Sequence, residues 1–389
     1  MSFPVIGVVG GGQLARMMAP AAVALGCQIT VLAESEDGCA RTAIPTAPVG
    51  DYRDYAALSA FAQNVDVLTF DHEHVPYEHL VALQELGVNV QPGPEALRYA
   101  QDKLVMREGL GSRGLPVPEW AAVATPEELV EFGDRIGWPV ILKTPRGGYD
   151  GKGVRVIADQ QAAHDAADWF GKDFPHLLAE AMVPFSRELS AQVARTPSGT
   201  MKCYPVVEST QVDGICDEVI APAPNIDPKV AEAAQKCAMD VAEALDVTGM
   251  LAVELFETPG VGEGFLINEL AMRPHNSGHW SIDGSITSQF EQHLRAILDL
   301  PLGETTPLGA YVIMKNYLGG KNEDLYAAYP AAMAHAPAAK IHAYGKSVRP
   351  GRKIGHVNTI AHTEADLAAA RAAAHEAAAI IRDGALEKD

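Results

Sequence analysis

Between Val140 and Ile157 the chain runs as a short apolar strand ending in a lysine, a glycine-rich loop, and a second strand. The first strand is Val140-Ile-Leu-Lys143. The loop carries Gly147, Gly148, Gly151 and Gly153 within seven residues, and Val154-Arg-Val-Ile157 resumes as a strand. A strand–loop–strand hairpin of this kind can lay its backbone over a triphosphate, with Lys143 reaching the phosphates from the strand end. It is not a Walker A loop, because no Ser or Thr follows Lys152 and the next element is a strand. The bland alternative is a flexible hairpin with solvated lysines. Tyr149-Asp150, set inside so many glycines, is hard to explain as spacer.

The segments around this hairpin give the domain order. Over residues 4–100, Val5-Ile-Gly-Val-Val9, Gln28-Ile-Thr-Val-Leu32, Val65–Phe70 and the shorter Val88-Asn-Val90 read as buried parallel strands with crossover helices between them. Such open sheets bind ligands beyond the carboxyl ends of their strands. Residues 94–113 read as one polar helix, and Leu115-Pro-Val-Pro118 as a break. From about 119 to 183 the pattern is helix, strand, glycine turn, strand, helix, strand. From Arg187 to Met272 longer strands follow one another as in an antiparallel sheet. A helix near 286–298, short strands and an Ala-rich helix over about 364–383 complete the chain. The expected fold is therefore mixed α/β (α+β). It comprises an N-terminal parallel-sheet domain (1–100), a linker helix with a small α/β lid (101–185), and a larger antiparallel-sheet domain with a C-terminal subdomain (186–389).

Composition narrows the function. With 389 residues, 30 Lys and Arg against 50 Asp and Glu, the formal net charge is −20. That field repels phosphate backbones and anionic membranes, so no nucleic-acid or membrane partner is expected, and an anionic substrate needs locally concentrated cations. The five cysteines are scattered without a CxxC pair, which suits reduced thiols in a cytoplasmic enzyme. No signal-peptide pattern and no apolar run of spanning length occurs.

Four groups of residues carry the chemistry. Gly10-Gly11-Gly12-Gln13-Leu14-Ala15 opens a helix after the first strand, with Glu34 at the end of the next. This literally fits a dinucleotide fingerprint, but backbone N–H groups at a helix start attract any phosphate, and no hydride-transfer site follows. Glu254 in LAVELF and Glu269 in FLINEL flank the turn TPGVGEG. A hairpin centred near 261–262 makes them direct cross-strand partners, which is destabilising unless a cation such as Mg²⁺ lies between them. The alternative is two solvent-facing glutamates in another register. Asn268 adjoins as an oxygen donor, and Arg273 and His275 follow directly. Zinc at His275/His279 or His72/His74 is disfavoured, since neither pair has a helical HExxH frame or a nearby Cys. Asp71-His-Glu73-His-Val-Pro76 ends a strand of the first sheet; Glu73 there reads equally as ligand or solvated loop carboxylate. Finally, Lys340, Lys346, Arg349, Arg352 and Lys353 lie in a stretch free of acidic residues, a local cationic patch fit for a substrate phosphate or a basic-edged surface strand pair.

Taken together these landmarks resemble the N5-carboxyaminoimidazole ribonucleotide synthetase family of the ATP-grasp superfamily, over essentially the whole chain. The resemblance rests on GGGQLARM (10–17), DHEHVP (71–76), AQDK (100–103), KTPRGGYDGKG (143–153), PFSRELS (184–190), YPVVE (204–208), NELAMRPHNSGH (268–279), TSQFEQHLRAI (287–297) and VRPGRKIGH (348–356). Departures are Ala15 for the usual glycine, Lys103 for a frequent arginine, and Met272 for the usual proline. The resemblance implies an ATP-grasp fold behind a pre-ATP-grasp domain, a homodimer, and a ligase reaction. That reaction joins bicarbonate to 5-aminoimidazole ribonucleotide with ATP and Mg²⁺, through carboxyphosphate. It further implies that Lys103 and Lys143 contact ATP phosphates beneath Gly147, Gly148, Gly151 and Gly153. Glu180, Ala181, Met182 and Val183 would form the adenine hinge, and Glu188 would bind the ribose. Glu254 and Glu269 would hold Mg²⁺ beside Asn268, and Arg273 and His275 would face bicarbonate. Glu73, Tyr149, Asp150 and Lys152 would position the second substrate, and Lys353 with Arg349 its phosphate; Asp150 and Lys353 are also catalytic candidates. Gly11, Gly12, Gln13 and Leu14 would border that substrate. The rival readings are a formate-using ribonucleotide formyltransferase, a biotin-dependent carboxylase, a non-catalytic nucleotide-binding module and a nicotinamide oxidoreductase.

Overall fold

The structure, a computed structural model, describes residues 3–148 and 153–385. The chain begins with β1 (Val5–Val9), α1 (Gln13–Leu25), β2 (Gln28–Leu32), α2 (Tyr55–Ala62), β3 (Val67–Phe70) and α3 (Tyr77–Glu85). The three strands form a parallel sheet in the order β2-β1-β3. Their apolar runs are buried on both faces, as crossover helices require. The expected fourth strand shrinks to one bridge, Val90 to Leu68.

The single helix expected over 94–113 is two, α4 (Pro94–Gln101) and α5 (Lys103–Gly111). Asp102 divides them. Its backbone is extended, and its carboxylate accepts from the N–H groups of Leu104 (3.0 Å) and Val105 (3.2 Å), capping α5. Next come β4 (Trp120–Val123), α6 (Pro126–Ile136), β5 (Val140–Lys143), β6 (Val154–Ile157), α7 (Gln160–Asp165) and β7 (Leu177–Ala181). Their four strands make a separate antiparallel sheet, β4-β7-β5-β6, whose core is its own apolar cluster around Phe132, Val140, Leu142 and Leu177. Strand β4 was not anticipated ahead of α6; its four residues, Trp-Ala-Ala-Val, carry no alternation to mark a strand.

The largest sheet has nine strands. Its members are β8 (Arg187–Arg195), β9 (Met201–Cys203), β10 (Val207–Val212), β11 (Ile215–Ala221), β12 (Gly249–Glu257) and β13 (Phe265–Ala271). After α9 (Ser281–Gly284) and α10 (Gln289–Ile297) come β14 (Tyr311–Leu318), β15 (Lys340–Ala343) and β16 (Lys353–Ala361). The order is β13-β12-β8-β10-β11-β14-β16-β15, with β9 beside β8, so the C-terminal strands extend the central sheet. Helix α8 (Pro228–Ala244), missed among the expected strands, packs Ala234, Cys237, Ala238 and Val241 onto the sheet. The expected Ala-rich helix α12 (Leu367–Asp383) covers β14 and β16, and helix α11 (Leu325–His335) packs against α12.

Two side-chain bolts fix the first sheet to the third. His293 on α10 is fully buried, accepts at Nδ1 from the Met250 N–H (3.0 Å), and so carries its hydrogen on Nε2, which lies 2.9 Å from Thr69 Oγ1 of β3. Thr248 Oγ1 bonds the side chain of Gln91. The carboxyl end of the parallel sheet is thereby held against the larger sheet, where the carboxylates lie.

Candidate active site

The hairpin of β12 and β13 places Glu254 directly opposite Glu269, the register expected from the turn. Beyond that pair the ladder slips: Leu255 faces Ile267, leaving Asn268 as a bulge residue. The carboxyl of Glu254 is pushed up to about 8, first by burial and then by the neighbouring charges of Glu269 and Glu188. Three carboxylates crowded this way favour a cation among them. Among the described residues no group of three or more His, Cys, Asp or Glu is arranged to hold a metal by itself. The pair therefore fits a hard cation that takes one or two carboxylates and completes its shell with substrate phosphates and water, which is the habit of Mg²⁺.

Cations from the smaller sheet and from α5 meet these acids. Lys143, at the end of β5, lies 2.7 Å from Glu180 Oε2 and 3.5 Å from Asn268 Oδ1. Lys103 pairs with Glu269 at 3.2 Å. Burial works to raise the Glu180 carboxyl, but the charges of Arg107 and Lys143 hold it below its ordinary value. Glu180 and Ala181 end β7, and Met182 and Val183 follow outside any helix or strand, so the expected hinge lies where the chain passes from the smaller sheet toward β8 of the larger. Phe185 and Phe256, which sequence reasoning passed over, stack with ring centroids 4.7 Å apart next to that hinge. Glu188 on β8 is raised by burial and bonded to Gln211, another residue not anticipated. Gly147 and Gly153 both take left-handed φ (76° and 70°), and the Thr144 N–H donates to the Gly153 carbonyl at 2.9 Å, closing the base of the glycine loop. Gly148 is described beside them, whereas Tyr149, Asp150, Gly151 and Lys152 lie outside the described residues.

Arg273 and His275 continue from β13. Arg273 Nε lies 2.8 Å from Glu73 Oε1, so the DHEHVP loop of the first sheet reaches the third at this point. The loop itself is fixed by Gln101, whose amide donates to the carbonyls of Glu73 and Val75, each at 2.8 Å. Gln289 clamps the following turn: its Oε1 accepts from the His275 N–H (2.9 Å) and its Nε2 donates to the His275 carbonyl (2.8 Å). His275 Nδ1 accepts from the Ser277 N–H at 3.4 Å, leaving Nε2–H directed at Glu254 Oε1, 3.2 Å away. Burial, aided by the charges of Arg273 and Lys353, holds this imidazole down to about 3, so it is neutral at working pH. His279 is bonded to Gln289, and His72 to Glu34.

At the glycine cluster, the backbone donors meet the protein's own acids. The Gly11 N–H donates to Glu34 Oε2 (2.9 Å) and the Ala15 N–H to Asp71 Oδ1 (2.7 Å), so two carboxylates already take backbone donors at the start of α1. A Cβ on Gly12 would stand 1.9 Å from Asp71 Oδ2; this glycine is needed for the close approach of the acid. Burial opposes ionisation of Glu34, yet hydrogen bonds from His72 and Gly11 bring it down to about 2, and no ribose is needed to explain it. The Leu14 side chain is in the core; only its backbone can border a ligand. Gln13 accepts from Lys346 Nζ at 2.6 Å. Lys346, half-buried, is lowered by burial and by the neighbouring Arg352 and Lys353 charges, while Arg349 is exposed and acts on Asp37. Lys340 belongs elsewhere, beside Asp283. The cationic segment therefore meets the mouth of the parallel sheet, through Lys346 more than through Arg349.

Comparison with known proteins fits this arrangement. Residues 3–101 match the ribonucleotide synthetase preATP-grasp domain, 109–290 the ATP-grasp domain, and 312–370 the phosphoribosylaminoimidazole carboxylase C-terminal domain. The chain is 49% identical to the N5-carboxyaminoimidazole ribonucleotide synthase of Mycobacterium tuberculosis over 94% of this chain and 85% of that one. The chain belongs to the N5-carboxyaminoimidazole ribonucleotide synthase family. As in that family, it is an ATP-grasp ligase. The crystal structure of the synthetase from Thermus thermophilus superimposes with a TM-score of 0.85 at 37% identity, covering 99% of this chain and all of the other. The synthase from Aspergillus clavatus, in complex with ADP and 5-aminoimidazole ribonucleotide, gives 0.88 at 33% identity over 98% and 99%.

Proposed function

We propose that this chain carboxylates 5-aminoimidazole ribonucleotide with bicarbonate at the expense of ATP, releasing ADP and phosphate, as a step of purine biosynthesis. One observation carries the reading: Glu254, Glu269, Lys143 and Arg273, drawn from the two antiparallel sheets, converge on a gap that Glu73 of the first, parallel sheet also reaches. ATP lies between the two antiparallel sheets. Its adenine meets the backbone of Glu180–Val183, its ribose Glu188, and its phosphates Lys103, Lys143 and the Gly147, Gly148, Gly151 and Gly153 backbone. Glu254 and Glu269, with Asn268 adjoining, would hold Mg²⁺, which when bound would offset the charge of the phosphates.

Bicarbonate oxygen attacks the γ-phosphorus, and the bond from phosphorus to the β,γ-bridging oxygen breaks, giving carboxyphosphate and ADP. Loss of phosphate yields CO₂, which the exocyclic amine of the ribonucleotide captures while giving up one proton. Arg273 supplies a planar cation to the negative charge of the carboxyphosphate. Neutral His275, its Nε2–H turned to Glu254, lines the same side. Glu73 orients Arg273 and lies where the amine enters; Tyr149, Asp150 and Lys152 are assigned to the second substrate on resemblance alone. Lys353, with Lys346 and Arg349, receives the ribonucleotide phosphate beside Gln13 and the glycine cluster.

The same reading makes the protein a cytoplasmic homodimer of three domains per chain, 1–100, 101–185 and 186–389; no described helix is long and apolar enough to cross a membrane. The deciding experiment is a coupled assay of ADP release with bicarbonate and the aminoimidazole ribonucleotide omitted in turn. Turnover needing both supports the assignment. Turnover with glycinamide ribonucleotide and formate would replace it with the formyltransferase reading.

A further inference from the structure

Arg107 has no place in the scheme above, yet it is almost wholly enclosed, with 1% of its surface exposed. It lies on α5 one turn after Lys103, so the two cations share a helix face. Lys103 turns to Glu269, whereas Arg107 reaches both antiparallel sheets at once. Its Nε bonds Glu180 Oε1 at the end of β7. Its Nη2 donates to the backbone carbonyl of Asn268, 2.7 Å away, in β13.

Each of those partners needs an explanation of its own. Asn268 is the bulge residue of the β12–β13 hairpin, so its carbonyl drops out of the regular ladder and must find another donor. Arg107 is that donor. The bulge sets the directions of Asn268 and Glu269, the residues assigned above to the metal and its surroundings. Glu180, for its part, uses its other oxygen to hold Lys143. The third guanidinium nitrogen, Nη1, is buried with no partner among the described residues. A buried cation with an unsatisfied arm is a poor stabiliser compared with an apolar side chain, which points to a role other than cohesion.

We infer that Arg107 is a positioning residue for the nucleotide, fixing the Asn268 bulge and the Glu180–Lys143 pair in one geometry so that metal ligand and phosphate ligand face the same point. The inference rests on the ATP-binding part of the function proposed above and not on the identity of the second substrate.

The test compares Arg107→Met, which keeps the volume but removes the donors, with Arg107→Lys, which restores one charged donor. The readouts are the Mg-ADP dissociation constant by calorimetry, KM for ATP, KM for the ribonucleotide, and Tm. Loss of two charged hydrogen bonds at the site predicts that Arg107→Met weakens Mg-ADP and raises KM for ATP by about tenfold or more. KM for the ribonucleotide should stay within about twofold, and Arg107→Lys should recover part of the Mg-ADP affinity. A lowered Tm with Mg-ADP affinity within twofold of wild type, or equal changes in both KM values, would overturn the inference. If Arg107→Met fails to fold, Arg107→Lys alone decides: unchanged Mg-ADP affinity sinks the idea. Because Mg-ADP binding is read without turnover, a wrong second substrate would show as a silent wild-type assay and leave this comparison intact.

Discussion

Glu254 and Glu269 are cross-strand partners, and Glu254 holds a proton up to about pH 8 as a result of burial and of its carboxylate neighbours. Its ordinary value is 4.5, so the folded chain keeps a proton that the unfolded chain has lost. The sign follows directly: this contribution is fully present below 4.5 and is lost as pH rises through 8. Ligand-free protein should therefore become less stable over that interval. Glu254→Gln, which cannot ionise, should gain about 1–3 kcal/mol over wild type at pH 8 and almost nothing at pH 4.5, while losing ATP turnover. Urea unfolding at the two pH values checks this. Equal stability differences at both would remove the proposed repulsion.

The bolt formed by His293 has the opposite pH dependence. Burial holds its imidazole down to about 3 from 6.5, so the neutral ring belongs to the folded state. The stability it contributes is present above 6.5 and falls as pH drops toward 3, by up to about 1.4 kcal/mol per pH unit for one such group. His275 is shifted in the same direction and adds to the slope. Replacing His293 with Gln should lower stability at pH 7 but flatten the loss between pH 6 and 4. Chemical denaturation across that range is the measurement, and an unchanged slope would assign the acid sensitivity to other groups.

What the sequence disclosed depended on whether a contact was local in register or distant in the chain. The opposition of Glu254 and Glu269 was legible because strand pairing across a short turn is counted from its centre. The parallel sheet was legible from its apolar runs. Arg107 was not, because its partners are 73 and 161 residues away and on α5 it looks like any helical cation. Helix α8 was overlooked although Asp227-Pro228 is a standard start, with Asp227 Oδ1 accepting from the Lys229 N–H at 2.9 Å. In the glycine cluster, the sequence could not show that Gly12 also serves close approach of a side chain. Here the approaching group is the protein's own Asp71.

Arg273 is tied to Glu73, and the pair connects the large sheet, on the side proposed for bicarbonate, to the first sheet. Arg273→Lys keeps the charge but loses the planar fork, and a donor aimed at developing negative charge is worth about 10²–10³ in kcat. The expected result is a fall of that order in kcat with KM for ATP nearly unchanged. Glu73→Gln should fall less in kcat and more in affinity for the ribonucleotide. Steady-state kinetics with each substrate varied separates the two outcomes, and a defect confined to ATP would contradict both.

Lys353 begins β16 beside the segment that carries Lys346 and Arg352 to the mouth of the parallel sheet. A cation there attracts a phosphate mainly in the ground state and so contributes equally to substrate and transition-state binding. Removing it as Lys353→Ala should raise KM for the ribonucleotide by about tenfold or more, as losing a charge-assisted hydrogen bond implies, and leave KM for ATP near wild type. Raising ionic strength should weaken ribonucleotide binding in wild type more than in the variant, since screening acts on the interaction the variant lacks. If both KM values rise together, Lys353 acts on the carboxyphosphate side, close to Glu254 and His275, whose ionisation its charge already influences.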